Sequence, residues 1–188
     1  MCGGFVTPEG VRHLAELGLL DAVLTAGGTW VREVLVCSAR GASASVPIGR
    51  DGTPGLAISR RALEDVLAGA VRARGGELRL GCRVVNVARA GGGWTVAART
   101  RSEQVRAFAA DLVVLGGGRF WGVRRDAEDP PRDGWFGWNA TFAGVPQPPG
   151  SLSMHFHADG YVGVLTFADG SANVCGLSRL RKAHAGSW

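Results

Sequence analysis

The chain has little lysine: Lys182 stands alone, and the formal charge of +5 rests on arginines spread from one end to the other. A nucleic-acid footprint needs basic residues concentrated on one face. Dispersed arginines provide none, so no nucleic-acid partner is expected. Cysteines are few and far apart, at Cys2, Cys37, Cys82 and Cys175, with no CxxC pair, and the four histidines add no ligand motif. That spacing excludes a zinc knuckle and argues for a reduced, cytoplasmic protein without a structural metal. No run approaches the roughly 20 apolar residues of a membrane span. The N-terminal "MCGGFVTPEG" lacks the basic-then-apolar order of a leader.

Phosphate fingerprints are missing as well. In "DLVVLGGGRF", residues 111–120, a dinucleotide G-x-G-x-x-G starting at Gly116 meets Trp121 where glycine is required. A P-loop starting at Gly117 reaches Gly122 but then finds Val123 in place of lysine. What remains is an apolar run ending in a bare glycine turn, read as a buried strand, Leu112 to Leu115, whose exit serves either tight packing or a ligand.

What is present suffices for a core: 188 residues, 46% of them hydrophobic, enough for one domain or two small ones. After an opening that offers no strand, "TPEGVRHLAELGLLDAVLTAGG" predicts one helix capped by Thr7, started by Pro8 and stopped by Gly27. "WVREVLVC" reads as a strand, followed by a loop-rich stretch with room for a short strand near Val46 to Ile48. A second helix opens at the cap Ser59, places Leu63, Leu67, Ala70 and Val71 on one face, and ends at Gly75. Then come a short strand in "ELRL", a meander over Val84 to Ala88, Trp94 to Arg99 and Gln104 to Phe108, and the strand Leu112 to Leu115. Past the linker "RRDAEDPPRDG", four strand candidates separated by Pro/Gly-rich or Asp-Gly turns predict an antiparallel sheet. The expected fold class is α/β, a meander inserted on a parallel sheet plus that second sheet.

This order, and residues within it, resemble the flavoprotein superfamily of geranylgeranyl reductases, flavin-dependent halogenases and aromatic hydroxylases. "CGGFVTPEG" is similar to its Cys-Gly-Glu-Phe-x-Ser-Pro-Glu-Gly stretch. Arg60, Leu63, Gly81 and Val84 match its Arg-x-x-Leu-Asp helix and the strand after it, and "DGYVGVLTFADGSANVCGL" resembles its substrate-domain stretch ending in Asn-Val-x-Gly. The resemblance implies an FAD-dependent oxidoreductase or monooxygenase with a small organic or lipid-like substrate and NAD(P)H as a possible reductant. It implies a partial FAD-binding domain over residues 1–126, including a helix and loop of the substrate region, and a partial substrate sheet over 134–188. Cys2, Gly3, Arg60, Val84, Gly116, Gly117, Gly118 and Arg124 become the expected cofactor residues, and Trp138 and Tyr161 the expected substrate residues.

The departures are specific. The glycine turn corresponds to the family's Gly-Ala-Asp-Gly-x-x-Ser-x-x-Arg motif, but Gly117 stands in place of its acid and Trp121 in place of its serine. Gly163 replaces the tryptophan usual in prenyl reductases, which argues against a prenyl substrate. The family's G-x-G-x-x-G unit and its later Gly-Asp motif have no counterpart in the sequence. The expectation is therefore an incomplete flavoprotein with weak flavin binding and an exposed sheet edge prone to self-association; the alternative is a non-catalytic remnant or small binding module. Arg60 also reads as an exposed helix-start residue, Val84 as core, and Trp135, Phe136 and Trp138 as sheet packing. His155 and His157 share a strand face, which fits a polar surface or an acid/base pair. No residue is assigned a catalytic role.

Overall fold

The structure is a computed structural model that describes residues 3–49, 51–117 and 134–179. Its fold class is α/β, with few helices and mixed sheets. Two compact units emerge, residues 1–76 with 133–188, and residues 77–132.

The first unit opens with a two-residue strand, β1 (Phe5–Val6), where the sequence suggested none. Helix α1 (Pro8–Glu16) starts as expected: Thr7 accepts a hydrogen bond from the Gly10 N–H at 3.3 Å, and Pro8 occupies the first turn. The predicted single helix is two. Gly18 adopts φ +67°, and the Leu19 N–H turns back to the Leu14 carbonyl, a left-handed stop that periodicity alone did not reveal. Helix α2 (Leu20–Thr25) comes next, then β2 (Thr29–Val31), β3 (Glu33–Ser38), β4 (Ser43–Pro47), β5 (Gly55–Ala57) and helix α3 (Arg60–Ala73).

Strand β5 lies between β1 and β2 in a small antiparallel sheet and is buried throughout. On one side Leu56 and Ile58 meet Val11, Leu14 and Val23 from the helices; on the other Val31 and Ala57 meet Leu165 and Phe167. Helix α3 uses only part of its apolar face. Ala62, Leu63 and Val66 pack on this core, whereas Leu67 and Val71 stay exposed.

The large sheet adds β9 (Trp135–Ala143), β10 (Leu152–His157), β11 (Gly160–Thr166) and β12 (Ser171–Arg179), in the order β4-β3-β10-β11-β12-β9. The four late strands are antiparallel as expected, but the sheet is mixed, because β3 joins β10 in parallel register, Val34 opposite Leu152. It thus draws strands from both sides of the boundary expected between residues 126 and 134.

The second unit is the meander β6 (Arg83–Ala90), β7 (Gly93–Arg99) and β8 (Val105–Ala110), as the hairpin spacing predicted. Two expectations fail beside it. Residues 77–80 form no strand, and Leu112 to Leu115 form neither a strand nor a buried segment: Leu112 is 76% and Val114 84% exposed. An apolar run becomes a strand only where a ladder receives its backbone groups, and none does so among the described residues. No described helix is long and apolar enough to cross a membrane.

Candidate functional site

Alternation along the strands sorts the large sheet into two faces. Tyr161, Gly163 and Leu165 of β11 share one face with Leu177, Cys175 and Asn173, their partners on β12, and with Phe156, Met154 and Leu152 of β10. The opposite face carries Ser153, His155, Val162, Gly176 and Trp138.

The N-terminal segment lies against the first face. A Cβ added at Gly3 would sit 3.0 Å from Cys175 Sγ and 3.1 Å from Asn173 Oδ1, so only a glycine passes there without displacing them. At Gly4, with φ +83°, an added Cβ would lie 2.7 Å from both the Ile58 carbonyl oxygen and the Phe167 ring. Asn173 is 9% exposed, and its Oδ1 has no hydrogen-bond partner among the described residues. A buried amide oxygen without a donor costs about 1–3 kcal/mol, which marks it as a place where a donor is wanted. Next along the wall, Gly163 faces Met154 Sδ and Cys175 Sγ, at 3.2 and 3.7 Å from the position its Cβ would take. Thioether and thiol thus line the space that a larger side chain at position 163 would claim. Phe156 and Tyr161 continue the wall with rings 5.9 Å apart and tilted by 46°.

The expected residues are scattered. Gly3 and Tyr161 belong to this wall. Trp138 does not: its strand register turns it to the opposite face, where it covers Gly176 and donates from Nε1 to Ser178 Oγ at 3.4 Å. One pocket on one face cannot take both substrate candidates. Arg60 starts α3 exposed and paired through Nε to Glu64 Oε1 at 2.6 Å, the helix-surface arrangement of an i,i+4 pair.

Val84 lies in the other unit, beside a register shift between Val84 and Asn86. It lines a cavity of about 400 Å³ with Gly81, Arg83, Arg99, Thr100 and Glu103. Gly116 and Gly117 are exposed, and a Cβ at Gly116 meets nothing within 4 Å, so packing within the described residues does not explain the bare turn. Cys2, Gly118 and Arg124 lie outside the described residues.

His155 and His157 share a face as expected and stay exposed. His155 Nε2 is 3.0 Å from Ser153 Oγ, and His157 Nδ1 accepts from the Asp159 N–H. No group of metal-ligating side chains forms among the described residues. The groups whose ionisation the fold shifts are at turns and on the surface. Ser171, through hydroxyl and backbone N–H, holds the Asp169 carboxyl below its ordinary pKa; Thr53 does the same for Asp51; Glu9 holds Arg12 above its own.

Sequence reasoning passed over Asn173 and Met154. Asn173 had a signal, being a polar residue at the start of the Asn-Val-x-Gly stretch between apolar neighbours. Met154 had none, because its role depends on the glycine across the ladder.

No family model and no curated protein matches the chain. Solved structures do match. A flavoprotein/dehydrogenase from Cytophaga hutchinsonii superposes with a TM-score of 0.80 at 16% identity, over 95% of this chain and 46% of that one. HpxO from Klebsiella pneumoniae, complexed with FAD and uric acid, gives 0.67 at 21% identity over 100% and 50%. The myxobacterial chondrochloren halogenase CndH, described as a variant of FAD-dependent halogenases, gives 0.79 at 17% over 95% and 44%. The chain spans about half the length of these structures, and at such identities the likeness is one of fold.

Proposed function

With the fold of the FAD-dependent oxidoreductases as its premise, we propose that the chain carries part of an FAD site of monooxygenase type. The substrate is small and organic, and the hold on the cofactor is impaired. The observation that carries this reading is the pairing of Gly3 with the orphaned Asn173 Oδ1 on the sheet face.

The residues present fit the group in part. An amide oxygen accepts from an N–H, and the pyrimidine edge of an isoalloxazine offers one. In the sequence, Gly117 and Trp121 stand where the resemblance expects the acid and hydroxyl of a cofactor motif; this is the reason for weakened affinity. When bound, the flavin supplies the electron transfer, with NAD(P)H as the proposed reductant. The chain's own residues orient and shield: Asn173 fixes the ring edge, and Met154, Cys175, Phe156 and Tyr161 form a dry wall against an apolar or aromatic substrate. A cytoplasmic setting accompanies this reading.

The test is a titration of the purified chain with FAD and, separately, FMN, followed by flavin fluorescence and visible absorbance. Saturable FAD binding that exceeds FMN binding, and that weakens in Asn173→Leu, is expected. A folded chain that binds neither flavin overturns the proposal. That outcome would favour the second reading, a non-catalytic binding module, for which the exposure of Leu112, Val114 and Leu115 speaks.

A further inference from the structure

The two edges of the large sheet are built differently. Strand β4 is a five-residue edge of serines, alanine and valine ending in Pro47, short and blunted. Strand β9 is nine residues long and carries no charge and no proline, although the chain as a whole is at +5. Its outer ladder is unpaired among the described residues. Trp135, Phe136 and Phe142 on it are 57%, 53% and 50% exposed. A long, uncharged edge is an open template for another strand, and soluble proteins ordinarily guard such edges.

The order of side chains in "WFGWNATFA" selects the occupant. Laid antiparallel on itself about Asn139, the strand sets Phe136 opposite the partner's Phe142. The same register sets Trp135 opposite Ala143 and Trp138 opposite Ala140, a large residue against a small one each time. Each residue and its opposite are an even number of positions apart, so both members of every pair project to the same face. The operation is a two-fold axis through Asn139, the symmetry of an isologous dimer. Because the strand is neutral, no like charges meet across it.

We propose that β9 is the dimer interface of this protein, pairing antiparallel with β9 of a second copy about Asn139 and joining two six-stranded sheets into one. The sequence led to the expectation of an exposed sheet edge prone to self-association, without naming β9. Sedimentation across a concentration series tests it. A monomer–dimer equilibrium is expected that added salt does not weaken, since no ion pair holds it and screening relieves the repulsion between two cationic chains. Asn139→Lys opposes two ammonium groups at the axis and weakens the dimer by at least about tenfold. Circular dichroism checks that this exposed substitution leaves the fold intact. Independently, Asn139→Cys combined with Cys175→Ser, which removes the native thiol facing position 139 across the ladder, yields under mild oxidation a crosslink between the two copies of position 139, identified by peptide mapping. A monomer at every concentration overturns the proposal, as does a dimer indifferent to Asn139→Lys, an absent 139–139 crosslink, or a dimer abolished instead by Val114→Asp.

Discussion

The unit built from residues 1–76 and 133–188 and the unit of residues 77–132 both carried strand signals, yet they differ in what those strands bury. The first encloses Leu56, Ile58, Val23 and Val31 at 1% exposure or less, between two sheets and three helices. In the described part of the second, Ala98 is the one buried hydrophobic, and Leu80, Val105 and Val114 stand in solvent. Alternation makes a strand, but a second layer is needed to make a core.

The sharpest way to break that comparison is core truncation. Leu56→Ala should cost about 2–5 kcal/mol in urea melts, as a buried Leu→Ala does. Val85→Ala, on the half-open meander, should stay within about 1 kcal/mol. Equal losses would mean that the meander has a hidden layer. Next in size is a matched pair of glycines. Gly4→Ala meets both a left-handed backbone, worth about 1–3 kcal/mol, and a collision with the Ile58 carbonyl and Phe167. Gly91→Ala, at φ +58° with nothing within 4 Å, meets the backbone term alone. The two melts should separate, and coincidence would dismiss the close approach at Gly4.

Smaller still, the meander relies on surface contacts: Arg79 lies over the Phe108 ring at 4.6 Å and Arg89 over Trp94 at 4.9 Å. Arg89→Ala should lower the stability of that unit by about 0.5–1 kcal/mol, read from exchange of β7 and β8 amides, while β5 protection is unchanged. The smallest effect is on pH. Asp169, held below its ordinary pKa of 3.8 by Ser171, contributes stability that is fully present above 3.8 and lost as the pH falls through the depressed value. In Asp169→Asn the melting temperature should lose part of its acid dependence; an unaltered acid limb would remove Asp169 from that account.

The sequence made local features plain. The Thr7 and Ser59 caps and the Gly75 stop rest on contacts within a few residues, and the meander and the β10–β11–β12 run pair each strand with its neighbour in the chain. One concealed feature is local: the left-handed Gly18 ends a helix that apolar spacing would have continued. The others depended on distant partners. Strand β3 reads as a neighbour of the segments closest to it in the chain, yet it lies parallel to β10. The site shows the same division: Gly3 was visible through its motif, but the opposite orientations of Trp138 and Tyr161 come from register, which no single strand specifies.

That parallel pairing also sets a timetable. Residues 33–38 leave the ribosome long before residues 152–157, their partners, exist. The meander at 83–110 is complete in the interval, from neighbouring hairpins alone, while β3 and β4 can only wait as a two-stranded ribbon. Contacts so far apart in sequence form late. Throughout synthesis the nascent chain therefore offers the open edge of β3, with Val34 and Val36, to any chaperone within reach, and releases it only when β10 arrives.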